Sequence, residues 1–197
     1  NCDGTTGNGC EAALTSLTNC GACGIACDLA NASESCATGS CTLTSCNSGF
    51  GNCDGISANG CEAALTSLTN CGACGTICAL TNASESCATG SCLIATCDSG
   101  YGNCNGTQAD GCEAALNTLT NCGACGSACS LANASESCAT GTCTLTGCNS
   151  GFGNCDGISA NGCEIALNTL TNCGACGTVC PHANASGSSC STGSCTY

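Results

Sequence analysis

The stretch NGCEAALTSLTNCGACGTIC, residues 59–78, recurs almost letter for letter at residues 8–27, 110–129 and 161–180. Its first half predicts a short helix. Asn59 and Glu62 have the Asn-x-x-Glu form of a capping box, and Cys61, Ala64, Leu65 and Leu68 follow at i, i+3, i+4 and i+7. Gly72, just after Cys71, is placed to end that helix, and the signals repeat at Asn8/Glu11, Asp110/Glu113 and Asn161/Glu164. The second half, NCGACG, reads as loop, because glycines flank a cysteine pair three residues apart. Downstream, ESCATGSCLIATC places Thr89-Gly90 between two cysteine-bearing arms with β-branched residues, which predicts a short hairpin.

Outward from this stretch the whole chain is periodic. Cys2, Cys53, Cys104 and Cys155 open four near-copies 51 residues apart. The first copy carries Cys2, Cys10, Cys20, Cys23, Cys27, Cys36, Cys41 and Cys46, and the next two repeat those offsets. The fold class expected is therefore small disulfide-rich tandem repeats: a linear array of four modules of 51 residues, each with a short helix and a β-hairpin and otherwise mostly loop. The repeats are drawn at residues 1–52, 53–103, 104–154 and 155–197, the fourth stopping one cysteine short. An odd total of 31 cysteines implies a free thiol, an intermolecular bridge or a partner in further sequence. The reading favours a longer parent protein or a head-to-tail contact.

With 31 cysteines, two Phe, two Tyr and no Trp in 197 residues, the chain is a crosslinked scaffold and not a core-driven globule. That implies oxidising, extracellular or cell-surface surroundings. Loops of about ten residues would each contribute roughly 2.5–3 kcal/mol on closure. How the cysteines pair stays open, because eight in one module allow 105 connectivities. No Lys or Arg is present against 13 acidic residues, so nothing can neutralise a phosphate backbone and nucleic acid is not an expected partner. No apolar run is long enough to span a membrane.

Four CxxC pairs, Cys20/Cys23, Cys71/Cys74, Cys122/Cys125 and Cys173/Cys176, raise redox and metal chemistry. Glycines surround them where an activated thiolate needs a helix N-terminus, so structural disulfides are the expected reading and metal–thiolate clusters the alternative. Each CxxC continues with Gly, so haem attachment through CxxCH is excluded, and the one histidine, His182, reads as a surface residue. Asp54, Asn59 and Glu62 could surround calcium, although capping and turn roles also account for them. No cofactor is expected otherwise. Sequons at Asn31, Asn82, Asn133 and Asn184 share one phase of the repeat and Asn105 adds a fifth, making all five candidate glycosylation sites. The competing reading is that Asn-Ala-Ser-Glu is only a turn or cap. Phe50, Tyr101 and Phe152 sit where one copy leads into the next and are expected to pack between modules.

The joint occurrence of NGCE, NCGACG, ANAS and SGFGNCDG at fixed spacing resembles cysteine-rich tandem repeat regions of large predicted secreted or surface proteins of myxobacterial type. The resemblance covers all four copies. It implies location and architecture and lends no activity, substrate or catalytic residue. The expectation is thus an extracellular structural protein and not an enzyme: a repeat rod associating head to tail into a filament, or a surface stalk, carrying glycans. The alternatives are a secreted adhesin or carbohydrate-binding array acting through avidity, and a metal–thiolate protein.

Overall fold

A computed structural model describes residue 2, residues 12–181 and residues 187–196. By contacts the chain divides into two compact units, residues 1–96 with 108–111, and residues 97–107 with 112–197. Secondary structure in both is a set of small antiparallel hairpins.

In the first unit, β1 (Thr15–Ser16) pairs with β2 (Asn19–Cys20), and β3 (Ala32–Ser35) pairs with β4 (Thr42–Cys46). Next, β5 (Phe50–Gly51) pairs with β6 (Ala63–Ala64), and β7 (Thr66–Ser67) with β8 (Asn70–Cys71). The β3–β4 hairpin is the one the Thr-Gly turn anticipated. Its register runs from Ala32 opposite Cys46 to Ser35 opposite Thr42, with a bulge between Ser33 and Glu34. The second unit repeats this hairpin at Ala134–Ser137 and Thr144–Cys148, with the bulge at the same place.

Hairpins this short cannot hold themselves. Apart from Leu29, every buried hydrophobic side chain among the described residues is a half-cystine. Within the first unit, Cys20, Cys27 and Cys36 form one buried cluster and Cys71, Cys78 and Cys87 the next, so sulfur does the work that Leu and Phe do elsewhere. Fifteen disulfides join the chain in a recurring pattern. Cys2–Cys23, Cys20–Cys36 and Cys27–Cys41 lie within one copy, whereas Cys46 reaches into the next and bonds Cys61. Cys97–Cys112 and Cys148–Cys163 repeat that reach. Cys10, also assigned to a disulfide, lies outside the described residues. Bonded cysteines stand 14 to 21 residues apart, longer than the expected ten, which puts each closure near 3 kcal/mol.

The predicted helix is absent. Helical structure among the described residues is limited to 3₁₀ turns at Ser57–Asn59 and Ser159–Asn161, ahead of the expected start. Where the helix was to begin, Gly60 has φ 88° and ψ −135°, and residues 63–71 fold as β6, β7 and β8. The expected apolar stripe splits, with Leu65 half-buried and Leu68 43% exposed. Eight residues offer few i→i−4 bonds to offset helix nucleation, and bonds tying Cys61 to Cys46 and Cys71 to Cys87 favour the extended path. Gly72 donates its N–H to Leu65 O at 2.8 Å across the β7–β8 hairpin, where a helix C-cap was expected. The capping pair at Asn8/Glu11 falls outside the described residues. NCGACG is only partly loop, since its Asn70-Cys71 start is strand β8.

Candidate functional site

A feature that recurs in both units is the junction where one copy grips the next. In the first unit Asn31 takes a left-handed conformation, φ 50°, which Asn tolerates better than most residues. That turn aims its amide Nδ2 at Cys61 O, 3.2 Å away, while Cys61 N donates to Ala30 O at 2.7 Å. Between them Gly60 lies so close to Ala30 that a Cβ would overlap the Ala30 backbone. Cys61 is 0% exposed, and its bond to Cys46 completes the clasp. In the second unit Asn133 (φ 48°), Ala132, Gly162 and Cys163 reproduce it, with Asn133 Nδ2 donating to Cys163 O at 3.1 Å. The glycine and asparagine held at one phase of every copy were the sequence signal for this clasp; the reach of the eighth cysteine left none.

This geometry gives two of the sequon asparagines a structural task. Asn31 and Asn133 commit the nitrogen that an N-glycan would occupy to a neighbouring carbonyl. Asn82 shares the left-handed turn at φ 50°. Asn105 sits in a different loop, where its Oδ1 accepts from Thr107 N at 2.6 Å. Asn184 and His182 lie outside the described residues.

The calcium trio is a closed hydrogen-bonded turn. Asp54 Oδ1 accepts from Ile56 N and Asp54 Oδ2 from Asn59 Nδ2, both at 2.8 Å. Glu62 Oε1 accepts from Cys53 N at 2.8 Å and Asp54 N at 3.1 Å. Asn59 thus turns its N–H₂, a donor, toward the carboxylate, the reverse of what a shared cation requires. The Ile56 N–H, and after it the Asn59 amide, hold the Asp54 carboxyl below the usual carboxylate value; Ile158 and Asn161 do the same for Asp156.

No CxxC pair closes on itself. Cys71 bonds Cys87 and Cys74 bonds Cys53, and the other three motifs follow suit. The sulfurs of Cys173, Cys180 and Cys195 approach within 4.8 Å, a spacing that three thiolates would use for a metal. They belong instead to the disulfides Cys173–Cys190 and Cys180–Cys195. Phe50, Tyr101 and Phe152 sit on two-residue strands opposite Ala64, Ala115 and Ala166. Phe50 and Phe152 are half-buried and Tyr101 is 38% exposed.

Comparison with protein-family models, curated proteins and solved structures returns no match. The disulfide content fits an extracellular protein, and among the described residues no helix is long and apolar enough to cross a membrane.

Proposed function

We propose that this chain is an extracellular structural protein, a disulfide-stitched array of repeats that serves as a filament subunit or surface stalk. One observation carries the reading: the covalent path along the chain is short-circuited. Pulling on the ends of an oxidised repeat loads Cys46 to Cys53, crosses to Cys74, runs to Cys78, crosses to Cys92 and proceeds to Cys97. The remaining backbone of the repeat hangs in closed loops that tension cannot extract. With about 3.5 Å per extended residue, the oxidised chain stretches to roughly 40% of its reduced contour length. A chain whose extension is capped in this way suits a load-bearing part, and the absence of Lys and Arg denies trypsin-like proteases a cleavage site.

Self-association of equivalent surfaces into an open head-to-tail assembly belongs to the same proposal. Its test is electron microscopy and sedimentation of native, unreduced material. Linear assemblies that disperse after reduction support it; dispersed monomer at every concentration overturns the filament. Intact mass of the same material reads the five sequons directly.

A further inference from the structure

Two clefts in the second unit occupy equivalent places in successive copies. The first, about 380 Å³, is lined by Ser99, Gly100, Leu116, Asn117, Thr140 and Gly141 among others. The second, about 500 Å³, has Ser150, Gly151, Leu167, Asn168, Thr192 and Gly193 at the matching positions. Volumes of this size take small ligands or single residues of a polymer.

Their chemistry is one-sided. No lining residue is charged. The chain has no Lys or Arg to meet an anion, and its carboxylates lie outside the clefts, so neither ionic class finds a partner there. What the clefts present is hydroxyl and amide groups around a leucine. Ser99, Asn117 and Thr140 are exposed, and in the second cleft Thr192 Oγ1 donates to Ser191 O at 2.8 Å while its lone pairs remain able to accept. Glycine on the walls leaves the half-buried Leu116 uncovered as an apolar floor. Such a set, neutral donors and acceptors around one small apolar face, matches a pyranose ring, which offers hydroxyls at its rim and C–H groups on its face.

We infer that these clefts are repeated subsites for a neutral saccharide, each engaging one sugar residue. A single site of this kind is weak, because it lacks an aromatic platform. Two at equivalent places on one chain suit a polysaccharide, whose own repeat lets a second residue bind at high effective concentration. The inference adds a ligand to the scaffold reading and stands independently of whether the chain polymerises.

Saturation-transfer NMR on the oxidised full chain, with neutral gluco- and N-acetylglucosamine oligosaccharides and with oligogalacturonate as an anionic control, tests it. The expected result is transfer from a neutral oligosaccharide and none from the control. Ser99→Ala and Asn117→Ala combined with Ser150→Ala and Asn168→Ala should weaken binding about tenfold, as the loss of a few net hydrogen bonds predicts, while a non-reducing disulfide map stays unchanged. Should that variant misfold, amide shift changes on the wild-type chain decide instead: the proposal requires them at Gly100, Gly141, Gly151 and Gly193. No transfer from any neutral saccharide, transfer undiminished in the folded variant, shift changes elsewhere, or preference for neutral peptides overturns it.

Discussion

The loops at residues 53–60 and 104–111 occupy the same phase of adjacent copies, yet they are pinned differently. In the former, Asp54 holds Ile56 N and Asn59, and a 3₁₀ turn spans Ser57–Asn59. In the latter, Asn105 accepts from Thr107 N, Asn103 accepts from Gly106 N at 2.7 Å and donates to Thr107 O at 3.0 Å, and Gln108 Oε1 takes the Ile94 N–H at 2.9 Å. The frame around both tips is the same. Glu62 and Glu113 each accept two backbone N–H groups, and Gly60 and Gly111 each crowd a backbone one copy earlier. Cys53–Cys74 and Cys46–Cys61 match Cys104–Cys125 and Cys97–Cys112. Bridges and clasps carry the architecture, which frees the tips to change.

If that division holds, damage to the frame should hurt both loops alike, and damage to a tip should stay local. The largest effect is expected from Gly60→Ala or Gly111→Ala. Each adds a Cβ against the backbone of Ala30 or Thr81 at a residue with positive φ, a combination costing about 3–4 kcal/mol. Guanidinium unfolding, together with the yield of correctly bridged protein, reads it. Unequal penalties in the two copies would show that the frame is not shared. Next is removal of a copy-to-copy bridge: Cys97→Ser with Cys112→Ser should cost about 3 kcal/mol, and Cys46→Ser with Cys61→Ser the same, by the same unfolding measurement. Smaller again is Glu62→Ala or Glu113→Ala. Each leaves two exposed backbone N–H groups to water and should cost about 1 kcal/mol, with peptide-level hydrogen exchange rising at Cys53-Asp54 or Cys104-Asn105.

How far these features are legible in the residues follows the same line. The hairpin at residues 32–46 is readable because a Thr-Gly turn between two short arms, the second with β-branched Thr42 and Thr44, has one good local solution. The helix expected from Cys61, Ala64, Leu65 and Leu68 is a fair inference from spacing, but spacing describes an isolated segment. Here Leu65 packs toward Gly51 and the Cys53–Cys74 bridge, a contact that exists only once distant cysteines have joined. Connectivity itself is hidden because a period gives the size of a repeat and not its phase: the spacing alone allows Cys46 a partner in its own copy, whereas it pairs forward with Cys61. Asn31 reads as a sequon or a turn until φ and the partner of its amide are known, and its bond to Cys61 spans 30 residues.

The smallest effect separates the tips most cleanly. The Asp54 carboxylate is stabilised by the Ile56 N–H and the Asn59 amide, so its folded pKa lies below that of the unfolded chain, about 3.9 for a free Asp. A depressed carboxylate lends its stabilisation above the unfolded value and loses it as pH falls through the lower folded value. The amide shifts of Ile56, and of Ile158 beside Asp156, should therefore move with a midpoint at lower pH than a free Asp carboxyl. Thr107 meets the uncharged Asn105 and should stay flat across the same range. Asp54→Asn should flatten the Ile56 response while leaving Ile158 titrating and the unfolding midpoint almost unmoved. A Thr107 shift that tracks Ile56 would mean that the acid transition is not local to the Asp54 carboxylate but is shared by both copies, and the distinction between frame and tip would fail at its weakest contact.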